Sequence, residues 1–177
     1  MCLFSRRGWA GMSQQHPITE PTGVYNKFVF NVLLQHEISR TRRYPMPISL
    51  LQIVLLPEYL QPENLERARQ VIAYILNRFL RSADVPAQDK NDFFVLLPQT
   101  DLAGARCVGS RILSRLEDSQ IGAGGLPFKV TACIGLTWHM GGDSLTAEKL
   151  LQNAQLAAQL ALQNGPNSLV IYPEPSS

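Results

Sequence analysis

The chain has 177 residues, of which 45% are hydrophobic, 17% charged and 8% aromatic, and its formal net charge is +2. This length and apolar fraction exclude a disordered protein and allow one domain with its own core. The small net charge excludes a nucleic-acid binder that works by bulk electrostatic attraction. Charged residues fall below the usual quarter or so, a thin supply of polar groups for an enzyme that handles phosphates.

The cysteines and the N-terminal segment indicate the compartment. Cys2, Cys107 and Cys133 are widely spaced and form no C-x-x-C pair, which favours a reducing environment. Residues 1–17 lack the apolar core of a signal peptide, and no window of about 20 residues is apolar throughout. We therefore expect a cytoplasmic protein without a membrane segment. Residues 1–20 are expected to form a flexible leader, and residues 21–177 the domain.

Apolar spacing and turn residues predict alternating helices and strands beyond the leader. The predicted helices span residues 24–43, 65–80, 102–116 with Asp101 as N-cap, and 144–163. The predicted strands span residues 48–56, 83–88, 93–97, 128–138 and 168–172. Residues 89–92 form the turn of a β-hairpin, and residues 122–125 a loop. The order predicts an α/β (α+β) fold, a ferredoxin-like βαββαβ sheet covered by helices, with an extra N-terminal helix and a C-terminal strand.

Several blocks of the sequence, in order, resemble the GGDEF domain family. The entry at 22–27 (T-G-V-Y-N-K) is similar to T-G-L-Y-N-R, and 130–135 (V-T-A-C-I-G) is similar to V-T-x-S-I-G. Further similar blocks lie at 47–51, 93–100, 150–154 and 164–167. The resemblance covers the chain from about residue 20 onward. It implies the nucleotidyl cyclase fold and a relation to diguanylate cyclases, which condense two GTP into cyclic di-GMP with two divalent metals across a dimer.

The metal ligands that the resemblance implies are replaced here. The family's Asp-x-Asp at the end of the first strand reads Val54-Leu55-Leu56, and Glu58 lies past the expected place. Valine and leucine coordinate no metal, so the carboxylates that would hold the ions and activate a hydroxyl are absent from these positions.

The signature turn is also altered. It reads Asp89-Lys90-Asn91-Asp92-Phe93, so both glycines that allow close approach of a nucleotide are lost, and Asp92 keeps the acidic position to within one residue.

The base and phosphate contacts that the resemblance implies are missing as well. The segment at 60–65 is shorter than the loop that carries the base-recognising residues. The family's late Asp is Gln155, and its phosphate-binding Lys and Arg map to Leu162 and Pro166. We therefore expect no catalytic residues, no bound metal and no cofactor, with residual cyclase activity as the least favoured alternative.

A candidate ligand site remains at residues 81–84. Arg81-Ser82-Ala83-Asp84 resembles the family's inhibitory R-x-x-D motif, and Arg111 falls where a second arginine completes such sites. A guanidinium can bind a phosphate or the Hoogsteen edge of guanine, and a carboxylate can accept from guanine N1–H and N2–H. The resemblance thus predicts a regulatory receptor for cyclic di-GMP.

A simpler interpretation stands beside this one. Arg81 can close a helix, where a cation suits the dipole, and can form a plain surface pair with Asp84. The domain would then be an interaction or dimerisation module without a nucleotide, with an unidentified signalling protein or a second copy as partner.

The remaining polar clusters carry less information. His16, His36 and His139 are scattered and interpreted as solvated or helix-face residues. The basic run at 40–43 (R-T-R-R) is interpreted as a solvated helix end, with an acidic partner or the cyclic dinucleotide as alternatives.

Overall fold

The structure, a computed structural model, describes residues 18–19, 22–56, 62–121 and 128–173. The elements in chain order are β1 (Ile18–Thr19), β2 (Val24–Asn26), α1 (Lys27–Arg43), β3 (Ile48–Leu55), a 3-10 turn (Pro62–Asn64), α2 (Leu65–Phe79), β4 (Val85–Asp89), β5 (Asp92–Pro98), α3 (Leu102–Asp118), β6 (Gln120–Ile121), β7 (Phe128–Lys129), β8 (Ala132–His139), α4 (Ala147–Asn164) and β9 (Leu169–Ile171). None of the described helices is both long and apolar enough to cross a membrane.

Seven strands form one mixed sheet in the order β1-β2-β4-β5-β3-β8-β9. The central strand β3 pairs antiparallel with β5 and β8. At the two sides of the sheet, β2 runs parallel to β4 and β9 runs parallel to β8. The run β3-α2-β4-β5-α3-β8 confirms the predicted βαββαβ arrangement, and β6 and β7 form a separate small ribbon.

The apolar run of β3 is buried on both faces, as predicted. Leu51 and Ile53 face the core beneath α2 and α3, while Ile48 and Leu50 face the core beneath α1 and α4. Burial of each such side chain is worth roughly 1.5–3 kcal/mol. Because successive residues of a strand alternate between faces, one apolar strand holds both helical layers in place.

Close contact between α4 and β8 depends on small residues. A Cβ added at Gly135 would lie 2.1 Å from the backbone nitrogen of Ala158 and 2.5 Å from the carbonyl oxygen of Ala154. Glycine in the strand and alanine on the helix therefore let the two backbones approach closely.

The predicted start of the first helix is wrong. Val24–Asn26 forms β2, and α1 begins at Lys27 because the Asn26 side chain accepts a hydrogen bond from the backbone nitrogen of Val29 at 2.9 Å. Asparagine is a favoured N-cap because its side chain satisfies a free N–H of the first helical turn.

The helical spacing of Phe28, Val32 and Ile38 predicts that they share the buried face of this helix, and only Ile38 is buried. Phe28 and Val32 are 64% and 55% exposed, whereas Phe30 and Leu34 are buried. Apolar residues occur on two sides of α1, so helical spacing alone is consistent with two orientations. Packing of the Phe30 ring against Phe94, with centroids 5.6 Å apart, belongs to the orientation that forms.

Smaller corrections concern element boundaries. The predicted strand at 128–138 is two strands, β7 and β8, and the predicted helix at 144–163 begins at Ala147, after its N-cap Thr146. Within the predicted leader, Ile18–Thr19 pairs with β2, and residues 1–17 lie outside the described part. The loop at 122–125 and Glu58 also lie outside it.

Candidate functional site

The residues of the R-x-x-D motif form a tight turn between α2 and β4. The backbone nitrogen of Asp84 donates to the carbonyl of Arg81 at 3.0 Å, and the backbone nitrogen of Arg81 donates to Asp84 Oδ2 at 2.8 Å. These two bonds fix the turn. They hold the Asp84 carboxylate beside the chain while the Arg81 side chain extends into solvent.

Arg111 approaches the same turn from α3. Its Nη2 donates to the carbonyl oxygen of Phe79, the last residue of α2, at 3.1 Å. Burial raises the pKa of Asp84, and the backbone bond from Arg81 and the positive charges of Arg81 and Arg111 oppose this rise. The structure therefore brings Arg81, Asp84 and Arg111 together around one half-buried carboxylate.

The geometry argues against the plain surface pair. Among the described residues, ion pairs within bonding distance join Arg40 to Glu37 and Arg69 to Glu66, and none joins Arg81 to Asp84. Arg81 also lies two residues beyond the end of α2. Arg81 is exposed and its guanidinium makes no hydrogen bond or ion pair within the described chain, although its charge acts on the nearby Asp84.

A groove of about 280 Å³ adjoins this turn. Its lining includes Arg81, Ser82 and Asp84 together with Leu76 and Asn77 of α2 and Leu80, the residue after that helix. The groove thus places a cation, a carboxylate and apolar side chains beside one another. This combination suits a planar, polar-edged group such as a nucleobase.

The signature turn forms the tip of the β4–β5 hairpin, as predicted. Lys90 takes the left-handed conformation, with φ of 56°, where glycine would be favoured. Gln88 Nε2 donates to the Lys90 carbonyl at 2.9 Å, and Arg69 Nη1 donates to Asn91 Oδ1 at 3.1 Å. Side chains, rather than glycines, therefore shape this turn.

Asp92 is held by β3. Its Oδ2 accepts a hydrogen bond from Gln52 Nε2 at 2.9 Å. Burial raises the pKa of Asp92, the bond from Gln52 and the charge of Lys27 oppose this, and the charge of Asp89 adds to it. Sequence reasoning missed Gln52, although a lone amide within an apolar strand is a signal, since a buried polar group needs a partner.

Lys27 adds a cation to this corner. Its Nζ lies 3.3 Å from the Phe94 ring centroid and 5.3 Å from that of Phe30. Burial lowers the pKa of Lys27, while Asp89 and Asp92 counteract this. The retained acid of the turn thus lies near a cation supplied by the chain itself.

Apolar side chains occupy the end of β3 where the resemblance implies carboxylates. Val54 pairs in register with Asp92, and Leu56 is buried against Cys133 and Ala161 of α4. Leu162, one residue along α4, is exposed. Within the described residues, no group of three His, Cys, Asp or Glu side chains is placed to share a metal ion.

The interpretation of His139 as a solvated or helix-face residue is wrong, because it ends strand β8 and its ring is hydrogen-bonded within the turn that follows. Its Nδ1 accepts from the Gly141 backbone nitrogen at 3.0 Å, so Nε2 carries the proton and faces Ser144 Oγ at 3.3 Å. In this tautomer the imidazole cannot take a proton from Ser144, which excludes a Ser–His nucleophile. Burial lowers the pKa of His139, as does Lys149.

Known proteins resemble this chain both in sequence and in fold. The sequence matches the family model described as "Diguanylate cyclase, GGDEF domain" over residues 66–168. A search of curated proteins finds no match.

Solved structures of low identity share the fold. Diguanylate cyclase SiaD from Pseudomonas aeruginosa, solved in complex with its activator SiaC, is 23% identical with a TM-score of 0.80; the match covers 88% of this chain and 62% of SiaD. The GGDEF domain of DgcB from Caulobacter crescentus, solved with c-di-GMP, is 11% identical with a TM-score of 0.83, covering 95% of this chain and 99% of that one. The FimX GGDEF domain from Pseudomonas aeruginosa is 18% identical with a TM-score of 0.78, covering 88% and 98%.

Proposed function

This chain belongs to the diguanylate cyclase GGDEF domain family, and from that premise we propose that it is a regulatory receptor for cyclic di-GMP that does not synthesise it. The observation that carries the proposal is the meeting of Arg81, Asp84 and Arg111 around one turn. These are the groups that recognise a guanine base and its phosphates.

Each group has a role toward the ligand. The exposed Arg81 guanidinium is available to donate two parallel hydrogen bonds to a phosphate or to guanine N7 and O6. Asp84 uses Oδ2 for the backbone of Arg81, which leaves Oδ1 to accept from guanine. Arg111 is anchored through Nη2 on the carbonyl oxygen of Phe79, and its other N–H groups are available to donate to a ligand because the residue is exposed.

Two observations support the absence of synthesis. Leu56 is packed into an apolar cluster at the end of β3, and Val54 stands opposite Asp92 in place of a second acid. Asp92 is bonded to Gln52 and lies near Lys27, so the remaining acid is already satisfied. Phosphoryl chemistry on GTP needs metal-bound carboxylates in positions that are apolar here.

Competition binding with fluorescent cyclic di-GMP tests the proposal. We expect saturable binding to the full chain that unlabelled cyclic di-GMP displaces and that GTP and cyclic di-AMP do not. Arg81→Ala should weaken binding by about tenfold or more, since a charge-assisted hydrogen bond is lost. Arg78→Ala, an exposed arginine one turn away on α2, is the matched control and should bind normally.

The proposed receptor function and the absence of synthesis can each be refuted by a specific result. Absence of displaceable binding, or equal affinity of the Arg81→Ala and Arg78→Ala variants, would refute the receptor. Formation of cyclic di-GMP from GTP with Mg²⁺ or Mn²⁺ would refute the absence of synthesis.

A second candidate function is a protein-interaction domain without a nucleotide ligand. The observation that favours it is a large open groove lined by residues from the start of α3 and the end of β8. SiaD, solved with an activator protein, supports the plausibility of a protein partner for this fold.

A further inference from the structure

An open groove of about 1160 Å³ lies at the end of the sheet remote from the signature turn. Its floor is Trp138, near the end of β8, which pairs with Ser49 at the start of β3. Asp92 pairs with Val54 near the other end of β3, about 17 Å away at the rise of a strand. The groove is therefore remote from the hairpin, and it shares no lining residue with the groove beside Arg81.

The lining of the groove is largely apolar. Leu102 and Ala103 in the first turn of α3 form one wall, and Met140 and Pro47 form the other. A half-buried Trp and an exposed Met are residues on which a partner side chain can anchor and repack. The apolar surface continues outside the groove onto Tyr44 and Met46, which are 64% and 38% exposed.

The lining of the groove includes one cation and one acid, Arg106 and Asp101. Arg106 lines it and makes no hydrogen bond or ion pair within the described chain. Asp101 also lines it, but its Oδ1 accepts from the Gly104 backbone nitrogen at 2.8 Å at the positive end of α3, which offsets its charge. The Arg106 cation is therefore available to pair with an acidic side chain of another molecule.

The basic run at the end of α1 borders the same apolar surface. The Gly142 backbone nitrogen donates to the Thr41 carbonyl at 3.0 Å, which joins the turn after Met140 to the end of α1. Arg42 donates to the carbonyl oxygen of Leu145, and no described acid pairs with Arg42 or Arg43. Cations therefore flank the apolar surface on this side as well.

We propose that this groove docks a segment of a partner protein that carries large apolar side chains together with acidic residues. Burial of the apolar floor against a partner would be favourable, and acidic side chains of the partner would pair with the flanking arginines. A second copy of this chain is a poor occupant, because symmetric pairing would bring Arg106 and the Arg42–Arg43 pair toward their own copies. The proposal does not depend on cyclic di-GMP binding.

A designed peptide pair tests this chemistry directly. The probe is a helical peptide of about 16 residues with Leu and Phe on one face and Glu on the other, and its counterpart carries Lys in place of Glu. The full chain with Trp9→Phe keeps Trp138 as its single tryptophan, so Trp138 fluorescence reports on the groove. We expect a saturable change with the Glu peptide and at least about tenfold weaker binding of the Lys peptide.

Variants locate the binding. Ala103→Glu and Met140→Glu change exposed positions in the groove and should each abolish binding of the Glu peptide, and Arg106→Ala should weaken it about fivefold. Ser114→Ala, on an exposed part of α3 outside the groove, should bind normally. Far-UV circular dichroism and thermal unfolding of each variant confirm that it is folded.

Three outcomes would overturn the proposal. One is equal affinity for the Glu and Lys peptides, and another is unchanged binding in the folded Ala103→Glu and Met140→Glu variants. The third is self-association of the full chain in sedimentation velocity that Met140→Glu disperses, since the occupant would then be a second copy.

Discussion

Gln52 on β3 donates a hydrogen bond from Nε2 to the Asp92 carboxylate on β5 at 2.9 Å. The bond joins neighbouring strands at the corner where the related cyclases are expected to hold metal ions. The Asp92 carboxylate therefore interacts with a neutral amide and with the Lys27 cation. These side chains of the same protein stabilise the hairpin.

Replacement of Asp92 tests the electrostatics of this corner. Burial raises the pKa of Asp92, so the folded state disfavours the ionised form. This cost is present above the folded pKa and disappears as the pH falls below the unfolded value. Asn at this position still accepts from Gln52, so Asp92→Asn should unfold at higher urea than wild type at pH 7, with the advantage shrinking toward pH 4.

The control for this comparison is Asp118→Asn, an exposed carboxylate at the end of α3. It should not reproduce the pH dependence of Asp92→Asn. Lower stability of Asp92→Asn at pH 7, or an advantage that grows on acidification, would show that ionised Asp92 is favoured instead.

A second variant tests whether an added carboxylate beside Asp92 creates a metal site. Val54 and Asp92 are register partners on antiparallel strands, so Val54→Asp places two carboxylates side by side. Like charges directly opposite one another should cost about 1 kcal/mol. Thermal unfolding with millimolar Mn²⁺ should recover part of this loss in Val54→Asp, and should leave wild type and Val54→Asn unchanged. Equal stabilisation of wild type would show that the native corner already binds the ion.

Ligand affinity should depend on pH through Asp84. Burial raises the pKa of Asp84, so this carboxylate takes up its proton at a higher pH than an ordinary Asp. The protonated form loses acceptor capacity toward guanine, and affinity for cyclic di-GMP should fall as the pH is lowered through that pKa. Asp84→Asn should bind about tenfold more weakly at pH 7 and show a flatter pH profile. A wild-type profile as flat as that of Asp84→Asn would exclude Asp84 from the contact.

Packing of α4 gives a test of the fold. Gly135→Ala places a methyl group against the backbone of Ala154 and Ala158, which cannot move as a flexible side chain would. Such overpacking typically costs 1–3 kcal/mol, so we expect a loss of about 3 kcal/mol in urea unfolding. Ser114→Ala on the exposed face of α3 should stay within about 0.5 kcal/mol of wild type. A Gly135→Ala variant as stable as wild type would contradict the close helix–strand approach.

Elements with strong local signals were predicted well. The apolar run of β3 predicted a doubly buried strand, and Asp101 caps α3 by accepting from Gly104. The last helix is predicted to end at residue 163 and ends at Asn164, where Gly165 follows with a positive φ of 97°. In each case the sequence pattern reflects a local requirement of the structure. The requirement is burial on both faces of a strand or a partner for a free backbone group at a helix end.

Features that depend on distant contacts were not predicted. The face that α1 buries depends on Phe94, which is more than 60 residues away from Phe30 in the sequence. The bond from Gln52 to Asp92 joins two neighbouring strands that are 40 residues apart in the chain. The groove at Trp138 combines α3 with β8 and has no pattern in either segment. By contrast, the resemblance placed Arg81, Asp84 and Arg111 in one region because it carried three-dimensional information that spacing lacks.

Amide chemical-shift mapping of the ¹⁵N-labelled full chain during titration with cyclic di-GMP tests the receptor most directly, because it reports both binding and its location. We predict saturable shifts that cluster at residues 81–84 and around Arg111, and that are lost in Arg81→Ala while Arg78→Ala retains them. A spectrum that does not change, or shifts confined to the hairpin at residues 89–92, would contradict a cyclic di-GMP site at Arg81, Asp84 and Arg111.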